Sequence, residues 1–302
     1  LLKDRTEIKL FTRPRRFGKT LNMTTLKYFF DVRNAEENRK LFKDLYIKKS
    51  EYFKEQGQYP TIFITLKDTK KNNWEECYSK IKIILRDLYE EHSYIKDKLS
   101  INEKEEYDKI LFKKDDAEYD NALLNLTKYL YNYYQKKVVL LIDEYDSPLI
   151  TANQFGYYKE AINFFRDFLS SALKTNSNLK MGVLTGIVQV AKEGIFSGLN
   201  NVKTYNILGD KFEIFFGLSE EEVEEALKYF EMTYEIEEVK RWYDGYKFGN
   251  SEVYNPWSIV NYLSDRGLQA YWVNTSDNAL IYDNLKNSTV DVFNNLQTLF
   301  EG

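Results

Sequence analysis

Short apolar runs alternate with segments of helical spacing over the first two thirds of the chain. The runs cover residues 8–12, 59–68, 138–143 and 180–187 and are rich in branched residues. Between them, segments such as 72–91 place apolar residues at the i, i+3 and i+4 positions of a helix. Strands that are apolar along their whole length need a covering layer on each face. The pattern therefore predicts an α/β fold with a parallel sheet of at least four strands, covered by helices on both faces.

Several segments depart from this alternation. Residues 96–120 are dominated by charges and predict an exposed helical hairpin or insertion. Residues 204–210 and 212–219 predict two strands near the edge of the sheet. The aromatic cluster 242–258 fits either the core of a small domain or a surface that stacks nucleic-acid bases, and the core is favoured because Gly and Asn-Pro mark turns within it.

The C-terminal part of the chain is predicted to form a second domain. Ser219 followed by Glu222 makes a capping box that starts a helix, and the strand signal fades beyond it. We therefore predict a core domain over residues 1–215 and a mainly helical domain over residues 216–302.

Composition narrows the class of protein. With 43 Lys+Arg against 47 Asp+Glu, the formal net charge is −4, so no overall positive field indicates a nucleic-acid partner. The single cysteine, Cys77, and single histidine, His92, exclude disulfide frameworks, Cys/His zinc sites and Cys-His dyads, and both are expected to be structural. No stretch approaches 18 continuous apolar residues and no signal-peptide pattern is present, so we expect a soluble, cytoplasmic protein without a membrane partner. The abrupt start without Met leaves open whether the chain is a fragment of a longer protein.

The loop between the first strand and the first helix carries candidate chemistry. A phosphate-binding loop gathers backbone N–H groups at a helix start, a lysine and a hydroxyl around the phosphates and Mg²⁺ of a nucleotide. Gly18, Lys19 and Thr20 supply the turn, the ammonium and the hydroxyl, whereas Arg13 stands where the pattern G-x-x-x-x-G-K-[ST] has its first glycine. Pro14 holds Arg13 extended, which pre-shapes the loop without that glycine. The expected nucleotide-binding residues are Pro14, Arg15, Arg16, Phe17, Gly18, Lys19, Thr20 and Leu21.

A second motif supports the phosphate-binding loop. Without it, Gly18, Lys19 and Thr20 would fit an ordinary turn before a helix equally well. Asp143 and Glu144 follow the apolar run at 138–142. At the end of a central parallel strand, Asp143 would hold Mg²⁺ together with Thr20, and Glu144 would orient and deprotonate an attacking water. Asp146 would either assist the metal or cap the next turn, and the cap is favoured. The two motifs in this order predict a nucleotide site.

The strings "FTRPRRFGKTLNMTTLKYFF", "VVLLIDEYDSPL", "VLTGIVQVAKEGIFSGLNN", "WYDGYKFG" and "VYNPWSIVNYL" together resemble the AAA-ATPase-like family of prokaryotic proteins. The resemblance covers nearly the whole chain. It implies a P-loop core of the AAA type with strand order 5-1-4-3-2, a helical or winged-helix-like lid, and ATP as the nucleotide. Members often carry a PD-(D/E)XK nuclease-like domain, which would follow Gly302. Residues 217–302 lack the acid and lysine spacing of such a nuclease, so we predict no nuclease site within them.

The resemblance also implies roles for residues outside the two motifs. Thr185 stands where a sensor residue contacts the terminal phosphate or the attacking water, although its hydroxyl could instead be satisfied by neighbouring backbone. Residues 189–201 look like a loop that moves with nucleotide state, and a solvated Lys192 is favoured over one that faces the phosphates. Of the loop arginines Arg15 and Arg16, one would cover the phosphates and the other would pair with an acid such as Asp146.

The sequence thus predicts a Mg²⁺-dependent ATPase in which Glu144, Lys19 and Thr185 are catalytic, and Thr20 and Asp143 bind the metal. It would couple nucleotide state to a downstream nuclease-like or nucleic-acid-acting domain. The alternative is a regulatory switch that binds ATP and hydrolyses it slowly or not at all, whereas a phosphotransferase is disfavoured. Candidates for an arginine finger are Arg166 and Arg241, by position only. The sequence leaves open a homo-oligomer and the identity of the effector.

Overall fold

The computed structural model describes residues 1–190, 201–232, 236–243 and 245–272 of the chain. Within these residues a five-stranded sheet has the order β2-β3-β4-β1-β5, and all its pairings are parallel. Read from the other edge, this is the order that the family resemblance implied. The strands are β1 (Ile8–Thr12), β2 (Thr61–Thr65), β3 (Val138–Asp143), β4 (Leu179–Gly186) and β5 (Val202–Tyr205).

Helices cover both faces of the sheet, as the continuous apolar strands required. Successive residues of β3 enter opposite cores: Leu140 belongs to the larger hydrophobic cluster, whereas Leu141 belongs to a second cluster on the other face. A strand whose side chains alternate between two cores is apolar throughout. The helices of this part are α1 (Lys19–Phe30), α2 (Ala35–Arg39), α3 (Trp74–Glu91), α4 (Ile101–Leu111), α5 (Ala122–Tyr134), α6 (Ser147–Phe155) and α7 (Tyr158–Leu173).

The strand order brings the candidate motifs together. β4 lies between β1 and β3, so the carboxyl ends of these three strands meet at one edge of the sheet. In open α/β sheets, ligands bind at this edge, where the strand order reverses. Among the described residues, no helix is long and apolar enough to cross a membrane.

Residues 218–272, which we call the C-terminal unit, contain helices and a hairpin. Most of their buried apolar side chains form a third hydrophobic cluster, while Phe248 and Val253 belong to the second. Ser219 and Glu222 make the predicted capping box at the start of the first helix of the unit. The elements are α8 (Glu220–Tyr229), α9 (Ile236–Tyr243), β6 (Tyr246–Phe248), β7 (Ser251–Val253) and α10 (Pro256–Asp265). The antiparallel pair of β6 and β7 was not predicted. The domain boundary near residue 216 stays a prediction.

The two strands predicted at 204–210 and 212–219 were largely wrong, because only Thr204 and Tyr205 of these residues lie in a strand, β5. The predicted strand 212–219 is a turn with a short 3-10 helix at Glu213–Phe215, because Phe212 and Phe216 pack on Phe11 without joining the sheet. The charged segment 96–120, predicted as an exposed helical hairpin or insertion, contains one longer helix, α4, and none of its charged side chains is buried. Tyr107 and Ile110 of this helix are buried, whereas Ile101 and Phe112 are exposed.

Candidate functional site

The loop after β1 leads into a helix start that is open to an anion. Gly18, with φ of 68°, is the residue before α1, and no side chain caps the helix. The first turn of α1 also lacks an acidic residue. By contrast, α3 begins with the side chain of Asn73 bound to a backbone N–H and with two acids in its first turn. The uncapped N–H groups and the helix dipole of α1 therefore favour a negatively charged ligand.

Lys19 is buried inside the loop. Its side chain is 8% exposed, and its Nζ donates to the carbonyl oxygens of Pro14, at 2.8 Å, and Arg13, at 3.1 Å. Burial lowers the pKa of the Lys19 ammonium, while the nearby carboxylates of Glu144, Asp146 and Asp143 act in the opposite direction. The loop thus folds around its own lysine, which lies close to three carboxylates.

Asp143 joins the two motifs. One carboxylate oxygen, Oδ2, accepts a hydrogen bond from Thr20 Oγ1 at 2.7 Å, and the other, Oδ1, accepts from Thr185 Oγ1 at 2.5 Å. These three residues come from the start of α1 and the ends of β3 and β4. The hydroxyl of Thr185 is therefore bonded to Asp143 rather than to neighbouring backbone. A carboxylate that is held from both sides has a fixed orientation.

Glu144 follows Asp143 in an uncommon backbone conformation. Its φ is 53°, in the left-handed region that few residues other than glycine and asparagine adopt. The side chain accepts a hydrogen bond from Ser147 Oγ at 2.8 Å and forms a longer ion pair of 3.8 Å with Lys70. A left-handed glutamate at the end of a central strand is a feature of the kind found at functional sites.

The side chain of Asp146 neither caps a helix nor pairs with a loop arginine among the described residues. The prediction that its side chain caps the following turn was wrong, because α6 begins without a side-chain cap. Its Oδ2 instead accepts hydrogen bonds from the backbone N–H groups of Ile187, at 2.7 Å, and Val188, at 2.8 Å. Burial raises the pKa of this carboxyl. Asp146 therefore fastens the chain that leaves β4 to the turn that follows β3.

Arg13 points away from the phosphate loop. It is fully buried, and its guanidinium donates to the carbonyl oxygens of Thr12, Tyr205 and Phe212 at 2.8–3.1 Å. It also lies over the ring of Phe216, 4.9 Å from the ring centre. The residue at the first glycine position thus anchors the loop to β5 and to the following turn.

The remaining loop residues have different surroundings. Phe17 is fully buried, Leu21 is 70% exposed, and the guanidinium of Arg16 lies 4.1 Å from the ring centre of Trp257. Arg15 lines a small cavity of about 200 Å³ beside Lys70. The sequence predicted the loop but not the partners of Arg13, Arg16 and Phe17. The only local indication of such partners was the unusual arginine, Arg13, at the position where the pattern has glycine.

Other candidates lie elsewhere. Arg166 is on α7, where it donates to Asn163, and Arg241 is exposed on α9. Lys192 and most of the predicted mobile loop lie outside the described residues. Cys77 and His92 are buried, as expected of structural residues.

The five-stranded parallel sheet with helices on both faces is consistent with a P-loop-like α/β fold, and comparison with known proteins gives the family. A family model described as Predicted AAA-ATPase matches residues 1–196, about two thirds of the chain. The chain belongs to this AAA-ATPase-like family.

One curated relative is a protein of Azotobacter chroococcum mcd 1, described as an uncharacterized protein in the vnfD 5' region. It is 23% identical over 278 residues, which cover 90% of this chain and 48% of that protein. The chain thus spans about half the length of the curated relative that it matches. No solved structure matches the chain.

Proposed function

We propose that this protein binds ATP with Mg²⁺ and hydrolyses it to ADP and phosphate. The observation that carries the proposal is the hydrogen bond of 2.7 Å between Thr20 and Asp143, which unites the helix start and the acidic strand end in one site. The uncapped start of α1 and the buried ammonium of Lys19 beside it suit the phosphates.

The residues at this point fit a magnesium ion. Mg²⁺ prefers oxygen ligands and is commonly bound through one or two carboxylates together with phosphate oxygens and water. The hydroxyl of Thr20 and the carboxylate of Asp143 provide such oxygens, and Thr185 keeps the carboxylate oriented through its own hydrogen bond. When bound, the ion would neutralise charge on the phosphates.

The chain itself would supply positioning and proton transfer. Lys19 would exchange its bonds with the carbonyls of Arg13 and Pro14 for the phosphate oxygens. Glu144 would orient a water and accept its proton, after its carboxylate leaves Ser147. Thr185 would act through Asp143, as a positioning residue.

A slow nucleotide-dependent switch is the second candidate. Two observations favour it over rapid turnover: the ammonium of Lys19 is bonded within the loop, and the carboxylate of Glu144 is held by Ser147 and Lys70. Both groups must be released before hydrolysis. In either case residues 216–302 would act as a lid that couples nucleotide state to a downstream nuclease-like or nucleic-acid-acting partner.

The proposal is tested by measuring ATP turnover and nucleotide affinity with Mg²⁺, with and without DNA, on wild type, Lys19→Ala and Glu144→Gln. We expect Lys19→Ala to lose binding and turnover. Glu144→Gln should keep its affinity and lose at least about 100-fold in turnover, since it lacks the base.

Tight binding without turnover under every condition would favour the switch. Absence of nucleotide binding by the wild-type protein would refute both candidates. Tyr28→Ala, a change at an exposed side chain of the same helix outside the loop, serves as the control for Lys19→Ala.

A further inference from the structure

The β6–β7 hairpin of the C-terminal unit packs against Phe17, the aromatic residue of the phosphate loop. Phe17 is fully buried, and its ring centre lies 4.8 Å from that of Tyr246 and 5.0 Å from that of Phe248. Phe17 directly precedes Gly18, whose left-handed backbone turns the chain into α1. The position of this turn is therefore tied to β6.

The neighbouring residue makes a second contact with the same unit. Arg16 has a left-handed backbone, with φ of 72°, and its guanidinium lies 4.1 Å from the ring centre of Trp257. Trp257 is in the first turn of α10. A cation over an indole ring at this distance is favourable, although the gain is modest when both groups are partly exposed.

The segment between the sheet and the C-terminal unit also contacts the loop and its helix. Arg13 donates to the carbonyl oxygen of Phe212, and Asn22 in α1 donates to that of Phe215 at 3.2 Å. Glu213 in this segment binds the hairpin turn through Asn250 and Ser251. The loop therefore lies between the sheet on one side and Phe212, the β6–β7 hairpin and Trp257 on the other.

We propose that the C-terminal unit positions the phosphate-binding loop, with Trp257 acting on Arg16 and the β6–β7 hairpin acting on Phe17. The physical reason is pre-organisation. A loop whose two left-handed residues, Arg16 and Gly18, are held in place loses less conformational entropy when its N–H groups bind phosphate. Its role in nucleotide binding rests on the function proposed above. Trp257 is then a positioning residue that touches no phosphate.

The test compares Trp257→Ala, Trp257→Phe and Trp242→Ala in the full chain. Trp242 and Trp257 are both 39% exposed in the C-terminal unit, so Trp242→Ala removes an equivalent indole from a different helix. Dissociation constants for Mg·ADP and Mg·ATP, ATPase KM and kcat, and amide hydrogen exchange of residues 13–20 without nucleotide are measured.

We expect Trp257→Ala to bind nucleotide about two- to five-fold more weakly, in proportion to a cation–π contact of this type. KM should rise in parallel while kcat stays within about two-fold. Exchange in residues 13–20 should be faster than in wild type. Trp257→Phe should restore most of the affinity, and Trp242→Ala should match wild type.

The two proposals fail separately. If wild type binds nucleotide and Trp257→Ala binds it equally well with unchanged exchange, the positioning role is wrong and the ATPase proposal stands. If wild type binds no nucleotide, the ATPase proposal is wrong. Exchange in residues 13–20 then still decides whether the C-terminal unit holds the loop. An equal loss in Trp242→Ala would overturn the assignment to Trp257.

Discussion

At the scale of single residues, the most informative position is Arg13. By sequence it looks like a defect in a phosphate loop, because glycine is usual there. In the structure the side chain points away from the loop and donates to three carbonyl oxygens, in two buried hydrogen bonds and one that is partly buried. Burial lowers the pKa of Arg13 to about 10, so the guanidinium stays charged at neutral pH. Arginine in place of the usual glycine therefore makes this part of the loop less flexible and anchors it to the neighbouring backbone.

This arrangement predicts that restoring the usual glycine is harmful. Arg13→Gly removes the donors for Thr12, Tyr205 and Phe212 and leaves a cavity against Phe216. We expect the free energy of unfolding to fall by about 3 kcal/mol or more, since buried acceptors lose charged donors. Urea unfolding measures this loss. Arg13→Lys keeps the charge but loses the planar guanidinium, so its free energy of unfolding should lie between those of wild type and Arg13→Gly. An Arg13→Gly protein as stable as wild type would contradict the anchoring role.

At the scale of elements, the site depends on how β4 ends. Gly186 is the last residue of β4, next to Thr185, and the carboxylate of Asp146 lies against it. The chain then turns so that two of its N–H groups bind Asp146, while the hydroxyl of Tyr145 binds the N–H of Val190 and the carbonyl of Val188. The strand that carries Thr185 is thus fastened to the residues that follow Glu144.

We therefore predict that Gly186→Ala disturbs both stability and the site. A Cβ at this position would lie 2.7 Å from Asp146 Oδ1 and from the ring of Tyr145, and both side chains are buried. Relieving this overlap should cost about 1–3 kcal/mol of unfolding free energy. Turnover should fall as well, because Thr185 shifts relative to Asp143. Thermal unfolding and ATPase assays measure the two effects, and Gly209→Ala, which adds a methyl group in open space, is the control.

At the scale of the whole molecule, one hydrophobic cluster joins the sheet to the hairpin of the C-terminal unit through the loop after β1. The hydrophobic cluster under α1 includes residues of the sheet, Phe17 of the loop, and Phe248 and Val253 of the hairpin. The C-terminal unit also has a cluster of its own. The first cluster stabilises the loop after β1 and the attachment of the C-terminal unit together.

The one histidine of the chain should contribute to the response of the molecule to acid. Burial, with a contribution from the charge of Arg33, lowers the pKa of His92 from 6.5 to about 3. His92 stays neutral in the folded protein, whereas in the unfolded chain it binds a proton once the pH falls below its ordinary pKa. Proton binding then favours the unfolded state, so the free energy of unfolding decreases. Between pH 7.5 and pH 5 the loss is about 2 kcal/mol.

We expect wild type to lose this stability over that range and His92→Gln to lose about 2 kcal/mol less, whatever its stability at pH 7.5. Urea unfolding of both proteins at the two pH values measures the difference. Equal pH dependence in the two proteins would show that His92 does not carry this proton uptake.

The sequence by itself determined the parts of this protein whose signal is local. Strands β1 to β4, the longer helices between them, the capping box at Ser219 and the positions of both motifs follow from neighbouring residues. Because continuous apolar strands require two covering layers, the α/β class followed as well. The strand order came from the family resemblance.

The tertiary structure decided how the site is held, because the contacts that hold it join residues that are distant in the sequence. Arg13 donates to a carbonyl oxygen 199 positions further along the chain. Phe17 packs on a hairpin whose residues follow the last strand of the sheet in the sequence. Asp146 was predicted to cap its own turn, but two backbone N–H groups beyond β4 hold its carboxylate. A buried polar or aromatic side chain takes the partner that the packing brings to it, and the residues beside it in the chain do not specify that partner.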